Sequence, residues 1–258
     1  MIRITIATCT YNAHDCVGAT LDSVLHQTYR QVEHLIIDGA STDGTLAIVD
    51  EYKRQSDQSD CCHDVVVVSE KDQGLYYAMN KALQMATGDY IVFLNAGDTL
   101  PSEDTLEAIS GTIGEGEPLP AVIYGDTDIV DAEGRFLRHR RLSPPAVLTA
   151  DSFIHGMLVC HQAFYARTDI ARATPYDTRY RYSADFDWCV RIMKKGEEQG
   201  LRMKNAGMVV ANYLDGGMTE KNHRASLRER FRVMCRHYGA LKTIAMHAWF
   251  AVRLITKK

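Results

Sequence analysis

Residues 32–45 read VEHLIIDGASTDGT, in which the run from residue 32 to residue 37, ending in the apolar residues Leu35, Ile36 and Ile37, is followed at once by acidic, small and hydroxyl-bearing residues. The run predicts a buried β-strand, and the polar residues after it predict the turn at which that strand ends. In that turn, Ser41 or Thr42 is placed to cap a following helix. The stretch therefore predicts a strand, a polar turn and a helix in succession.

The same pattern recurs through the first hundred residues. Further strands are predicted at Ile2–Ala7, Val65–Val68 and Tyr90–Leu94. Helical stripes lie between the strands; they comprise Val17, Leu21, Val24 and Leu25, then Leu46, Val49 and Tyr52, then Leu75, Ala78, Met79, Ala82 and Ala86. This alternation predicts an α/β fold with a mostly parallel sheet and right-handed crossovers. The second half is less regular, and its predicted elements are strands at Ala121–Tyr124 and Met208–Tyr213 and a helix at Ser183–Lys195.

Length and composition narrow the class of protein. The 258 residues are 46% hydrophobic and 24% charged, which suits one α/β unit or two closely packed halves. The apolar stretch Ala245–Val252 is far shorter than the ~20 residues of a membrane-spanning helix, and the first residues lack a signal-peptide block. Seven cysteines without a C-x-x-C pair favour neither a zinc ribbon nor a disulfide framework. We therefore expect a soluble cytoplasmic protein.

Charge is distributed unevenly along the chain. Residues 222–258 contain nine Lys or Arg and one acidic residue, Glu229, a formal charge of +8; the whole chain carries −4, so the remainder carries −12. A basic segment on an acidic body suggests an anionic surface as the partner of that segment. The acidic body argues against nucleic acid as a general ligand.

Polar residues follow each of the four predicted strands of the first half. These segments are residues 8–12, 38–44, 69–74 and 95–98. Because parallel strands share their carboxyl edge, where ligands bind in open α/β sheets, we expect the segments to surround one crevice. The alternative for any single residue is a turn or a helix cap. Four successive edges of this kind favour a ligand site.

The sequence also limits the kind of ligand. Neither G-x-G-x-x-G nor G-x-x-x-x-G-K-[ST] occurs, which argues against a dinucleotide-binding loop and a P-loop. A diphosphate facing Asp98 would be repelled unless Mg²⁺ or Mn²⁺ lay between them, and these cations take one or two carboxylates together with phosphate oxygens. Carboxylates near the strand ends are suited to bind a base and a ribose. A nucleoside diphosphate compound held partly through a metal is therefore expected.

Several segments, taken in order, resemble the family 2 glycosyltransferases, and are most similar to bacterial enzymes of exopolysaccharide synthesis of the colanic-acid type. They are residues 10–12 (TYN), 37–45 (IDGASTDGT), 74–82 (GLYYAMNKA), 86–98 (ATGDYIVFLNAGD), 161–162 (HQ), 183–185 (SAD) and 216–219 (GGMT). The resemblance implies a GT-A fold, with a Rossmann-like mostly parallel sheet and helices on both faces. It also implies a nucleotide-sugar donor such as a UDP-sugar, a divalent metal (Mg²⁺ or Mn²⁺) and inversion at the anomeric carbon.

Site residues carry over from the resemblance by position. Asp98 matches the last acid of the D-x-D-type motif and is the expected metal ligand, and Asp185 matches the acceptor-activating base. The expected nucleotide-sugar contacts are Thr10, Tyr11, Asp38, Asp43, Glu70, Lys71, Asp72, Asn95 and His161. Asn95 and Gly97 stand where the family often has carboxylates. This departure leaves open a non-catalytic nucleotide-binding or scaffold protein, and a sugar-nucleotide pyrophosphorylase is a further alternative, although its basic Gly-rich N-terminal loop is absent.

The candidate base needs help from its surroundings. An aspartate starts from a pKa of roughly 3.9, so Asp185 is a weak base unless neighbouring groups raise that value. Asp187 is the nearest acid that would raise it, although residues two apart on a helix face different sides. The alternative is that Asp185 only begins a helix and that Asp187 pairs with Arg191. His161, likewise, is either a site contact or a hydrogen-bonded core residue.

The C-terminal segment has an apolar seam with spacings of four and three. Its members are Leu227, Phe231, Met234, Tyr238, Leu241, Ala245, Ala248, Val252 and Ile255. We expect Gly239 to break it into two amphipathic helices, which pack on the domain or lie on anionic lipid. The expected organisation is a nucleotide-sugar half (1–98), an acceptor half of the same domain (99–221) and basic C-terminal helices (222–258). Lipid contact would suit a saccharide acceptor on a polyprenyl diphosphate and a position on the inner face of the cell membrane.

Overall fold

A computed structural model of the chain describes residues 1–61, 63–114, 116–216 and 223–256. The strands of this part are β1 (Ile4–Thr10), β2 (Val32–Asp38), β3 (Asp64–Ser69), β4 (Tyr90–Phe93), β5 (Val122–Val130), β6 (Phe136–His139), β7 (Phe164–Arg167) and β8 (Met203–Leu214). The α-helices are α1 (His14–Leu25), α2 (Thr45–Gln58), α3 (Leu75–Met85), α4 (Thr105–Gly111), α5 (Thr168–Arg172), α6 (Ala184–Glu198), α7 (His223–Tyr238) and α8 (Ala240–Thr256). Short 3-10 helices cover Ala150–His155 and His161–Ala163.

The strands form one sheet in the order β3-β2-β1-β4-β7-β5-β6, with β8 paired to β5. Strands β1 to β4 run parallel to one another, which confirms the prediction for the first half. The chain moves outward from β1 through β2 to β3 and then returns to place β4 on the other side of β1. The carboxyl ends of β1 and β4 thus flank a topological switch point, where ligands bind in such sheets.

Helices cover both faces of the sheet, as predicted, and strand β2 shows why. Its side chains alternate, so Leu35 and Ile37 join the main core with α3, while Ile36 packs with α1 and α2 on the other face. All three side chains are buried. A parallel strand buried on both faces is rich in apolar residues, and this accounts for the apolar residues 35–37 that made β2 recognisable.

The second half departs from the predicted elements. Strand β7 inserts antiparallel between β4 and β5, and β5 and β8 are both longer than predicted. Polar and glycine residues within β5 and β8 conceal their strand pattern. Gly125 of β5 is required by the close approach of β8, because a Cβ there would lie 2.6 Å from the carbonyl oxygen of Met208. The predicted helix at Ser183–Lys195 is confirmed as α6.

The C-terminal segment forms two helices, as predicted. Helix α7 ends at Tyr238 and α8 begins at Ala240, with Gly239 between them at φ +85°, where an L side chain is disfavoured. Among the described helices, none is both long enough and apolar enough to cross a bilayer. Residues 217–219 of the predicted GGMT motif (216–219) lie outside the described residues, as do Lys257 and Lys258.

Candidate active site

The carboxyl ends of β1, β2 and β3 lie side by side, because Thr10 pairs with Asp38 and Asp38 pairs with Ser69 in the sheet. The buried Asp38 carboxylate accepts hydrogen bonds from the hydroxyls of Thr10 (2.9 Å), Ser41 (2.5 Å) and Ser69 (2.7 Å). Burial raises the pKa of Asp38, but these donors lower it by more, so the net shift is downward. Asp38 is therefore an ionised group that joins three strand ends.

Asp43 holds the starts of two helices. Its carboxylate accepts the N–H of His14 at the first residue of α1 (3.0 Å), together with the N–H and hydroxyl of Thr45 at the first residue of α2 (3.0 and 2.6 Å). The hydroxyl of Thr45 is the main reason that the pKa of Asp43 is lowered to about 2. The predicted cap of α2 is thus corrected. Neither Ser41 nor Thr42 caps this helix, because Asp43 supplies the acceptor at the starts of both α1 and α2.

Tyr11 follows β1 and presents its ring at the same edge. Its side chain is 69% exposed, which is unusual for a tyrosine next to a buried strand. The ring lies against Gly39, where a Cβ would come within 3.2 Å of Cδ2 of Tyr11. The result is an exposed aromatic surface beside Thr10 and Asp38, suited to contact a flat heterocycle.

The turn after β3 carries three predicted site residues and a cation that the sequence analysis missed. Lys81 of α3 places its ammonium 2.7 Å from Glu70 and 3.0 Å from Asp72. Burial lowers the pKa of Lys81, but the two carboxylates raise it by more, so Lys81 is charged. Lys71 lies on the same turn with its side chain exposed. Lys81 lies in the GLYYAMNKA segment, on the helix that follows this turn. That position is the sequence feature from which a contact with Glu70 and Asp72 could have been predicted.

Asp98 follows β4 and is almost completely buried. Its carboxylate accepts hydrogen bonds from the side-chain amide of Gln162 (2.8 Å) and the backbone N–H of Leu214 (3.2 Å). Burial raises its pKa to about 6, against the smaller effects of Gln162 and the nearby His161. The side-chain oxygen of Asn95 in the same turn is buried without a partner among the described residues. Two hard oxygen donors therefore lie in this turn.

His161 links this turn to the candidate base. Its Nε2 lies 3.0 Å from the side-chain amide nitrogen of Asn95, and its Nδ1 lies 3.5 Å from Asp185. The Tyr76 hydroxyl donates to the other oxygen of Asp185 at 3.4 Å. Asp185 is the second residue of α6 and lies 24 residues beyond His161, so their contact depends on tertiary packing. His161 is hydrogen-bonded and mostly buried, and it joins Asn95 to Asp185, two residues expected at the site.

The expected role of Asp187 is wrong in one respect and right in another. Burial raises the pKa of Asp185, but His161 and Arg230 lower it by more, so the net shift is downward rather than upward. Asp187 is fully buried and bonded to Arg191 (2.6 Å) and His237 (2.7 Å), so its charge is compensated. The predicted Asp187–Arg191 pair is confirmed. Asp185 is consequently a carboxylate that is ionised at neutral pH.

A surface depression at the opposite, amino end of β4 has a different character. Asp89, Arg167, Asp169 and Arg172 line it. Arg167 pairs with Asp169 at 2.7 Å, and Arg172 donates to the carbonyl of Ala86. These charged groups therefore already have partners in the protein, and the predicted site residues lie at the carboxyl edge instead.

Comparison with known proteins establishes the class. A sequence profile described as glycosyl transferase family 2 matches residues 5–185, which is most of the chain. The chain belongs to this family and is a glycosyltransferase. It is 32% identical over 209 residues to the PGL/p-HBAD biosynthesis glycosyltransferase Rv2957 of Mycobacterium tuberculosis, covering 81% of this chain and 75% of that one.

A second sequence relative and a solved structure are also similar to this chain. The amylovoran biosynthesis glycosyltransferase AmsB of Erwinia amylovora is 29% identical over 195 residues, covering 72% of this chain and 62% of that one. The structure also superimposes on the glucosyl-3-phosphoglycerate synthase of Mycobacterium tuberculosis, which was solved with Mn²⁺, UDP and glucosyl-3-phosphoglycerate. The TM-score is 0.62 at 15% sequence identity, and the match covers 92% of this chain and 80% of that one. The expected GT-A fold is thereby confirmed.

Proposed function

We propose that this glycosyltransferase moves a sugar from a nucleotide-sugar, preferably a UDP-sugar, to a saccharide acceptor with inversion at the anomeric carbon. The observation that carries the proposal is the ionised Asp185 carboxylate, which His161 connects to the turn containing Asn95 and Asp98. A base and a diphosphate-binding turn on neighbouring elements are what a single displacement requires. The biosynthetic role of relatives such as the amylovoran enzyme supports a place in bacterial surface polysaccharide synthesis.

The donor would lie along the carboxyl edge, within residues 1–98. The exposed ring of Tyr11 would contact the base. The ribose would lie next to it, beside the hydrogen-bonded pair Thr10 and Asp38. Asp43 orders the surrounding turns. Glu70, Lys71 and Asp72, with Lys81 between the two acids, would face the donor sugar or its phosphates. The UDP in the related synthase supports uridine as the base.

A divalent cation, Mg²⁺ or Mn²⁺, fits the turn after β4. Asp98 would hold it, because the positive charge of a cation would compensate the buried negative charge of this carboxylate, whose pKa burial raises. The unpartnered side-chain oxygen of Asn95 would be a second ligand. No group of three or more His, Cys, Asp or Glu in the described residues forms a cage. The remaining ligands would be phosphate oxygens and water. A bound cation would supply positive charge to the departing diphosphate, and Mn²⁺ in the related synthase supports this.

The proposed transfer is one displacement. The acceptor hydroxyl oxygen bonds to the anomeric carbon as the bond from that carbon to the diphosphate oxygen breaks, and the nucleoside diphosphate leaves with the electron pair. The hydroxyl proton passes to Asp185. His161 and Tyr76 orient the two oxygens of Asp185 before the acceptor arrives. General base catalysis of this kind contributes ~10²–10⁴ in rate, or about 3–5 kcal/mol.

The acceptor would bind within residues 99–221, on the Asp185 side, and we propose that it is lipid-linked, as a polyprenyl diphosphate saccharide is. Leu241, Ile244, Ala245 and Ala248 form an exposed apolar face on α8, within a segment of net positive charge. Such a helix lies in the interface of an anionic membrane, at ~1 kcal/mol per nearby basic residue. This would place the enzyme in the cytoplasm, peripherally on the inner face of the cell membrane.

The experiment is a survey of donor binding and hydrolysis. Purified protein is mixed with UDP-, GDP- and dTDP-sugars, with and without Mn²⁺, and thermal stability and nucleoside diphosphate release are measured. We expect stabilisation by one class of donor in the presence of Mn²⁺ and slow hydrolysis that Asp185→Asn removes. Binding without hydrolysis would favour the non-catalytic alternative, and release of pyrophosphate from a nucleoside triphosphate with a sugar phosphate would favour a pyrophosphorylase.

A further inference from the structure

Helix α7 reaches the segment that precedes the helix of the candidate base. The Glu229 carboxylate accepts three consecutive backbone N–H groups, those of Arg181 (3.0 Å), Tyr182 (2.7 Å) and Ser183 (3.1 Å). Helix α6 starts at the next residue, and Asp185 is its second residue. One carboxylate from the C-terminal segment thus binds the whole approach to α6.

Glu229 stands out in its own segment. It is the only acidic residue among 222–258, where nine residues are basic. If this segment served only as a cationic surface, nothing would require an acid at this position. The structure gives the acid a specific task, because its oxygens accept hydrogen bonds from three backbone N–H groups.

Three further contacts join α7 to α6 and to the residue before it. The Ser183 hydroxyl donates to the carbonyl of Ser226 at 3.2 Å, and His237 bonds to the buried Asp187 at 2.7 Å. Between them, the Arg230 guanidinium lies 5.6 Å from the centre of the Phe186 ring. Helix α7 therefore contacts residues on both sides of Asp185, namely 183 just before α6 and 186 and 187 within it.

Hydrogen bonds to a charged acceptor are about twice as strong as neutral ones. Three of them on successive residues fix the backbone of 181–183 and with it the direction of the first turn of α6. The position of Asp185 follows from that direction, since its side chain projects from the first turn. A misplacement of 1 Å at a catalytic group can cost about 10²-fold in rate.

We propose that Glu229 is a positioning residue for the transfer. It holds the start of α6 so that the Asp185 carboxylate lies against His161 and Tyr76. Helix α7 thereby helps to form the acceptor side of the site. This inference rests on the proposed function, because it assigns Asp185 the role of base.

The test compares Glu229→Gln with Arg236→Gln. The glutamine has nearly the same shape, but it lacks the charge and turns one N–H group towards the backbone donors. Arg236 also ties α7 to the body, but through Asp177 at 3.2 Å, a residue that precedes the segment bound by Glu229. With the UDP-, GDP- or dTDP-sugar that the wild type hydrolyses best, we expect Glu229→Gln to lower kcat by about 10- to 100-fold with donor KM and UDP affinity unchanged. Arg236→Gln should retain wild-type kcat.

A double-mutant cycle separates positioning from stability. If Glu229 acts through Asp185, Glu229→Gln should change the residual rate of Asp185→Asn by less than about twofold. Three results would each overturn the proposal. The first is that the rate losses of Glu229→Gln and Asp185→Asn multiply in the double variant. The others are equal losses of kcat in Glu229→Gln and Arg236→Gln, and a wild-type kcat in Glu229→Gln. Should Glu229→Gln fail to fold, Ser183→Ala loosens the same junction, and its kcat should fall several-fold; an unchanged kcat overturns the proposal. A wild type that hydrolyses no nucleotide sugar refutes the proposed function instead.

Discussion

Asp98 allows a test of the cation site that does not depend on catalysis. The side chain is 5% exposed, and burial raises its pKa from 3.8 to about 6. Asp98→Asn removes the ionisation and keeps the shape. The Leu214 N–H can still donate to the remaining oxygen, and Gln162 can rotate its amide so that its oxygen accepts from the new side chain.

The sign follows from the direction of the shift. Because the pKa of Asp98 is higher in the folded protein than in the unfolded chain, the folded state binds the proton more tightly. Its contribution to stability is complete below pH ~4 and is lost as the pH rises through about 6. A shift of about two units corresponds to roughly 3 kcal/mol in the free energy of unfolding, of which about two thirds falls between pH ~4.5 and ~7.5.

The assay is urea unfolding of the wild type, Asp98→Asn and the exposed control Asp50→Asn in EDTA. We expect Asp98→Asn to gain about 2 kcal/mol relative to the wild type when the pH rises from ~4.5 to ~7.5. The control should show no such change. With Mn²⁺ and UDP at pH ~7.5, the wild type should be stabilised by mass action and Asp98→Asn much less.

Two results would refute this reasoning. If the free energies of unfolding of Asp98→Asn and the wild type differ by the same amount at both pH values, burial does not raise the pKa of Asp98. Equal stabilisation of both proteins by Mn²⁺ and UDP would mean that Asp98 holds no cation. The first outcome concerns the electrostatics of Asp98, and the second concerns its role, so the two errors can be told apart.

Three further outcomes are expected. Asp185→Asn should lower transfer by about 10²–10⁴-fold with unchanged UDP affinity by calorimetry, and a fully active variant would remove Asp185 from the mechanism. Lys81→Met should weaken donor binding in the same measurement, because Glu70 and Asp72 lose their counter-charge; unchanged affinity contradicts a donor role for this cluster. Leu241→Glu combined with Ile244→Glu should reduce co-sedimentation with anionic vesicles relative to Leu137→Glu on β6, and equal pelleting of the two proteins argues against the α8 surface.

The first half of the fold and its edge were predictable because the chain alternates short buried strands with helical stripes. Parallel pairing then forces the strand ends together, so Thr10, Asp38 and the residues after β3 had to be neighbours. The hydrogen bonds within the edge were not predictable. Asp43 accepts the N–H at the first residue of α1 across 29 residues of chain, and such a long-range acceptor leaves no local signal at the start of that helix.

The second half was harder to predict for a physical reason. All four residues of β6 are exposed, so no apolar period marks it, and α4 has only seven residues, too few to show a stripe. The contact of His161 with Asp185 depends on how a 3-10 helix packs against α6. The shift in the pKa of Asp185 is therefore opposite to the one a base needs, because the sequence showed the nearby Asp187 but not that His161 and Arg230 approach from other elements.

The C-terminal seam shows how one sequence period serves two environments. Packing on the domain and contact with lipid were predicted as alternatives, yet the two helices differ. On α7, Val233 and Met234 are buried, and Glu229 and His237 bond to α6 or to the segment before it. Beyond Gly239 the seam continues without the same cover, since Leu241 is 85% exposed. Exposed apolar surface on a helix destabilises the protein in water unless another surface covers it. If α8 meets a membrane while α7 holds the start of α6, a lipid-linked acceptor would be presented beside the carboxylate that activates it.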